Sequence, residues 1–459
     1  MSGSCGVSAN TPAEPVPRDG SVIERRPDSA HPWSQTIPQT TLAYIMRRYQ
    51  RSSYSVWPVV NAEMLLQRLE GGNDPSTYCL ALALCAATMA QLQLVPLMNE
   101  DREVDSNLLA TECLRLREEI DFRENLDARS VLVSLFLHVY HAKINKRNSA
   151  MLFIQEAISS ARLLRLDEDG MVTKKWGTDE DVIANRDILF TLLWVSERGY
   201  AMHLGLKPSY ASPTCLLDRT QASENTHVQG LLEHARLFAA FDDVLIRRSD
   251  SNGLSVNTLR ETEAALSMLS LGQGDRAATR IADYCITKEW MRMIIWQEAL
   301  SQHLLSSTSY LELMTFRFPV HVGRDLLRSL QGFSKSDLLP LGRDQLLKCF
   351  EIANSLADTV LCTSSILSSF QGFHFGPQDL LHALYQKLLP FLEQDSVLNS
   401  ILHAKTAEAL VKAPARALHF GVNERWSVEE QSNDGIDERL DFANNVRSGI
   451  SEIHDFSFG

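Results

Sequence analysis

Two histidines, His138 and His141, lie three residues apart in a stretch with helical spacing, and such a pair could present two imidazoles to one metal ion. No nearby carboxylate or cysteine completes a ligand set, and the apolar neighbours favour core or helix-end histidines. Asp167-Glu168-Asp169 and Asp179-Glu180-Asp181 are carboxylate clusters. Both fall in expected loops or helix starts, where acidic groups complement the positive end of a helix, so capping is the better reading than metal binding. Glu197-Arg198 interrupts an otherwise apolar helical stretch. A charged pair in that setting is either an internal ion pair that fixes packing or part of a polar ligand pocket, and packing is the simpler reading. The run Arg47-Arg48-Tyr49-Gln50-Arg51 offers phosphate contact or an import signal, although a solvated helix end explains it equally well.

No P-loop, His-Glu-x-x-His, Gly-x-Ser-x-Gly or strand-linked dinucleotide fingerprint is present. Gly272-Gln273-Gly274 lacks a third glycine and a preceding strand, and reads as a turn. No catalytic residue, cofactor or metal site is therefore expected. The eight cysteines form no C-x-x-C pair, and several lie in apolar stretches as buried thiols do, which suits a reducing compartment. The formal charge is −13, from 44 basic and 57 acidic residues. Duplex binders need a basic surplus to displace counterions from phosphate. DNA contact is thus expected only weakly, or through a partner.

The elements that must position these residues are helical. Of 459 residues, 44% are apolar and 22% charged, and glycine is scarce at 22 residues. Residues 1 to 40 are rich in proline, serine and threonine and read as a disordered leader. From Thr41 to Val422 apolar residues recur at spacings of three and four. The pattern predicts helices over Arg147–Leu166, Asn185–Leu204, Leu231–Ile246, Leu259–Leu271, Arg280–Leu305, Arg343–Leu367, Pro377–Leu392 and Val397–Val411. Val131–Tyr140 is apolar all round and reads as a central buried helix; its valine-rich start keeps a strand open as the alternative. Breaker clusters place loops at Glu70–Pro75, Asp167–Asp181, Lys207–Gln229, Ser249–Ser255 and Gln371–Pro377. The longest apolar run, Tyr78–Met89, is short for a membrane span, which needs about 18 residues, and no signal peptide is seen. Residues 423 to 459 carry nine acidic residues and three arginines with hydrophobes between them, the composition of an activation segment or of a solvated tail.

Three stretches together resemble the fungal-specific transcription factor domain, the regulatory region found downstream of a six-cysteine, two-zinc DNA-binding cluster. They are Tyr54–Asn61, Ser149–Asp169, and Asn185–Ala201 with the following Leu206-Lys207-Pro208-Ser209. Arg186, Trp194, Glu197, Arg198 and Pro208 occupy the motif positions, and the resemblance runs over residues 41 to 420. It implies an all-α, multi-helix regulatory domain in the nucleus that controls a metabolic or biosynthetic gene cluster. It implies, too, a homo- or heterodimer with a zinc-cluster relative, a possible small-molecule effector, and contact between the acidic tail and the transcription machinery. One departure stands out: a zinc cluster needs six thiolates, and only Cys5 precedes this region. DNA would then be reached indirectly. A helical adaptor that does not bind DNA, or an enzyme whose site follows no motif, stays open as an alternative.

Overall fold

A computed structural model of the chain describes residues 35–71, 74–99, 102–166, 182–183, 186–210, 225–247, 254–271, 277–367, 376–392 and 395–415. The leader before residue 35, both acidic clusters and the acidic tail lie outside the described residues. The described part is all-α. Its helices are α1 (Gln39–Arg48), α2 (Ala62–Gly71), α3 (Pro75–Leu92), α4 (Ser106–Glu119), α5 (Ala128–Lys143), α6 (Arg147–Leu163), α7 (Arg186–Leu204), α8 (Thr226–Arg247), α9 (Val256–Met268) and α10 (Ala278–Ser301). They continue as α11 (Phe318–Gln331), the short α12 (Lys335–Leu338), α13 (Gly342–Leu367), α14 (Pro377–Leu392) and α15 (Ser396–Lys412). Among the described residues the one sheet is an antiparallel hairpin of β1 (Leu97–Asn99) and β2 (Arg102–Val104).

Aspartates set several of the helix starts. Asp74, Asp105, Asp127 and Asp395 each accept a backbone N–H of the first turn of α3, α4, α5 and α15, at 3.0, 2.7, 2.8 and 3.1 Å. A free first-turn amide is an orphan donor, and such a cap contributes about 1 kcal/mol. Pro75 at the first position of α3 has no N–H to leave unpaired. In α5, Val131 to His138 are all buried, so this stretch is the central helix and not a strand. It packs between α3 and α6, while α10, α11, α13, α14 and α15 form a second packed group, and α13 also touches α5.

Differences from the periodic reading have local causes. Helix begins at Gln39 and Ile37 is buried, so the ordered region opens earlier than residue 41. α3 reaches 18 residues, the length of a membrane span, because polar Thr77 and Gln91 extend the apolar run; its side chains are buried among other helices of this fold. α8 starts at Thr226, inside the expected loop, because the Asn225 side chain caps His227 and Val228 at 3.0 and 3.4 Å. α2 likewise continues to Gly71, into the loop expected from Glu70.

Candidate functional site

Glu197 and Arg198 are buried on α7, at 2% and 0% side-chain exposure. The Arg198 guanidinium donates to Asp242 on α8 at 2.7 and 3.3 Å and to the Tyr210 carbonyl at 3.1 Å. It also lies 3.9 Å from the ring centre of Trp194, whose indole packs edge-on to Phe238. Glu197 accepts the backbone N–H groups of Ser209 and Tyr210, the latter at 3.2 Å. The pair therefore ties the segment after Pro208 to α7 from both sides. Arg186 donates to the Leu166 carbonyl at 3.0 Å, and Pro208 is half-buried in the same segment. The five motif residues thus gather around α7 and its neighbours, and none of them lines the cavity described next.

That cavity, of about 210 Å³, lies between α5, α7, α8, α10 and α13. Its floor is a network of buried charges. His203 of α7 contacts Asp344 at 2.8 Å and Glu351 at 3.3 Å, both on α13, and its ring stacks on Trp290 at 4.6 Å. Lys348 reaches Asp344 at 2.9 Å and the Thr287 hydroxyl at 3.2 Å, and the Trp290 indole N–H donates to Glu351. Asp344 and Glu351 keep 42% and 34% of their side-chain surface accessible although they sit within the fold, because they face the cavity. Behind them Arg280 clamps the Ser55 and Val56 carbonyls at 2.6–2.9 Å and Asp283 at 2.7 Å. Gln345 donates to Asp283 at 2.7 Å.

The electrostatics follow from this packing. Burial alone would lower the His203 pKa, but Asp344 and Glu351 outweigh it and raise the value. Burial would raise that of Asp344, but Lys348 and His203 hold it well below the ordinary carboxylate range. Burial pushes His234 down to about 4, so its imidazole is neutral at pH 7. Two buried polar atoms on cavity residues, Gln345 Oε1 and His234 Nδ1, have no hydrogen-bond partner.

His138 and His141 donate their Nδ1–H groups locally, to the Ala150 and Leu137 carbonyls at 2.8 Å each, and His138 borders the cavity. Among the described residues no His, Cys, Asp or Glu group has the arrangement to hold a metal ion. Tyr49 of the basic run is buried and donates to the Trp57 carbonyl at 2.6 Å, while Arg47, Arg48 and Arg51 are exposed. The cavity residues escaped the sequence reading. Their signal is a polar stripe on an otherwise apolar helix: Asp344, Lys348 and Glu351 at steps of four and three, answered by Arg280, Asp283 and Thr287 on α10.

The described residues thus form a mainly helical fold around a charge-lined cavity, and comparison with known proteins adds a likeness in sequence. The chain is distantly homologous to fungal transcription regulators. It is 21% identical to a probable sucrose utilization protein of Candida albicans over 70% of this chain and 65% of that protein. A maltose fermentation regulatory protein of Saccharomyces cerevisiae is 24% identical over 71% of this chain and 68% of its own length. A respiratory transcription factor of the same yeast is 21% identical over 71% and 70%. The chain spans a little under two thirds of the length of the first of these relatives. No family profile matches the chain, and no solved structure matches it.

Proposed function

We propose that this chain acts in the nucleus as the helical regulatory part of a fungal transcription regulator that controls a metabolic or biosynthetic gene cluster. The observation that carries this reading is the homology to transcription regulators over some 70% of the chain. The cavity adds a mechanism. A small effector held there would touch α5, α7, α8 and α13 at once, and would favour the conformation in which those helices are docked. Sequence-specific DNA contact is assigned to a zinc-cluster partner, because the overall charge of −13 opposes direct binding. The acidic residues after 423 would meet the transcription machinery.

The test is a yeast reporter driven by this chain fused to an unrelated DNA-binding domain. Transcription that responds to the carbon source, with nuclear fluorescence of a tagged chain, is the expected result. A fusion that is inert under every carbon source, or a chain excluded from the nucleus, would overturn the reading.

A further inference from the structure

The charges around the cavity pair off, with two left over. Arg280 is matched by Asp283 and Lys348 by Asp344, while Glu351 is engaged by His203 and the Trp290 indole N–H. Arg343 at the mouth is matched by Asp395 at 2.7 Å. Lys143, the last residue of α5, and Arg147, the first of α6, both line the cavity, and among the described residues neither side chain forms a hydrogen bond or ion pair. Burial and the nearby Arg343 lower the Lys143 pKa, and the opposing pull of Asp395 does not make up for them.

The start of α6 adds to the same imbalance. It has no side-chain cap and no acidic residue in its first turn, so no side chain of that turn offsets the positive helix end. A second recess, lined by Lys146, Arg147, Asn148, Ser149 and Arg343, opens there and shares Arg147, Arg343 and Glu351 with the main cavity. Deeper in, His234 and Gln345 are 3% and 6% exposed and hold the two polar atoms without partners. Leaving such atoms unpaired is unfavourable, and a hydroxyl-bearing ligand would relieve it. The cavity's volume of about 210 Å³ leaves room for a compact metabolite.

We propose that the cavity binds a small hydroxylated anion, a carboxylate or a phosphate ester, with its charged end between Lys143 and Arg147 and its hydroxyls turned toward His234 and Gln345. This rests on reading the cavity as an effector site, and it names the class of effector.

The experiment titrates the full chain, by calorimetry and thermal melting at low ionic strength, with citrate, glucose 6-phosphate and uncharged glucose. Citrate or glucose 6-phosphate is expected to raise the melting temperature with dose, and glucose is not. Which anion binds separates the carboxylate from the phosphate ester. The double variant Lys143→Gln/Arg147→Gln should weaken binding at least tenfold with an unchanged circular dichroism spectrum. The charge-keeping variant Lys143→Arg/Arg147→Lys should retain it. Binding of glucose as tight as that of glucose 6-phosphate, undiminished binding in the double variant, or no response to either anion would each overturn the proposal. These readouts do not involve transcription. Anion binding with an inert reporter sinks the regulatory role and leaves the site standing; an active reporter without anion binding does the reverse.

Discussion

Replacing Arg198 by alanine separates a packing role from a sensing one. In the folded chain the guanidinium meets Asp242 and the Tyr210 carbonyl and stacks on Trp194. Alanine removes all three contacts and strands the Asp242 carboxylate, which is 5% exposed, with no cation beside it. Breaking a buried pair from one side costs about 3–5 kcal/mol, a large part of the roughly 5–15 kcal/mol that holds a domain folded. A urea melt followed by circular dichroism should show that loss as a lower midpoint with an unchanged slope. The double variant Arg198→Met/Asp242→Leu removes the charge along with its partner and should recover most of the loss, because apolar replacement of a buried pair is often close to neutral. Since Arg198 does not line the cavity, whatever protein remains folded should bind effector like the wild type. A single variant within about 0.5 kcal/mol of wild type would refute the reasoning, since that is the range of a bland surface change. So would a double variant as unstable as the single.

Other outcomes follow from the same geometry. Burial holds the pKa values of His138 and His234 at about 4, so the unfolded chain takes up these protons first as pH falls; stability should be full above about pH 6.5 and decline toward pH 4, and His234→Gln should flatten part of that slope in melts across pH. The raised pKa of His203 works in the opposite sense: its ion pairs stabilise fully below about pH 6.5 and are lost as pH rises through the folded value, so His203→Phe should remove an alkaline decline in melting temperature. Gly342 opens α13 at φ 67° and ψ −156°, a region open essentially to glycine, and an added Cβ would fall 1.9 Å from the Gln91 side chain; Gly342→Ala should cost at least about 1–3 kcal/mol by denaturant melt. Asp74→Ala removes the α3 cap and one of the two carboxylates paired with Arg129, and should cost about 1 kcal/mol in the same assay.

Helix existence was legible in the sequence wherever one face is apolar, because burial repeats with the helical period. Asn185 to Leu204 and Pro377 to Leu392 show this to within a residue. Phe318–Gln331 did not stand out, although Val322, Leu326 and Leu330 are buried at steps of four, because Pro319 at its start reads as a breaker. The hairpin at Leu97–Val104 has three-residue strands, too short for alternation to register. That a charged pair, Glu197-Arg198, sits within an apolar helix was legible in the sequence. Asp242, 44 residues from Arg198, was not, because its approach depends on how α7 and α8 pack. The cavity is hidden for the same reason: its groups are ordinary on each helix and become a site only when five helices meet.

The cavity wall is gathered from positions as distant as Trp57 and Glu351. Its chemistry is therefore written nowhere as a contiguous word. Natural variation can retune what the cavity accepts by single changes on any of five helices while the backbone stays as it is. On the proposed reading, a regulator of this build could exchange one signal for another without losing its architecture, and shared shape would then be a poor guide to shared signal.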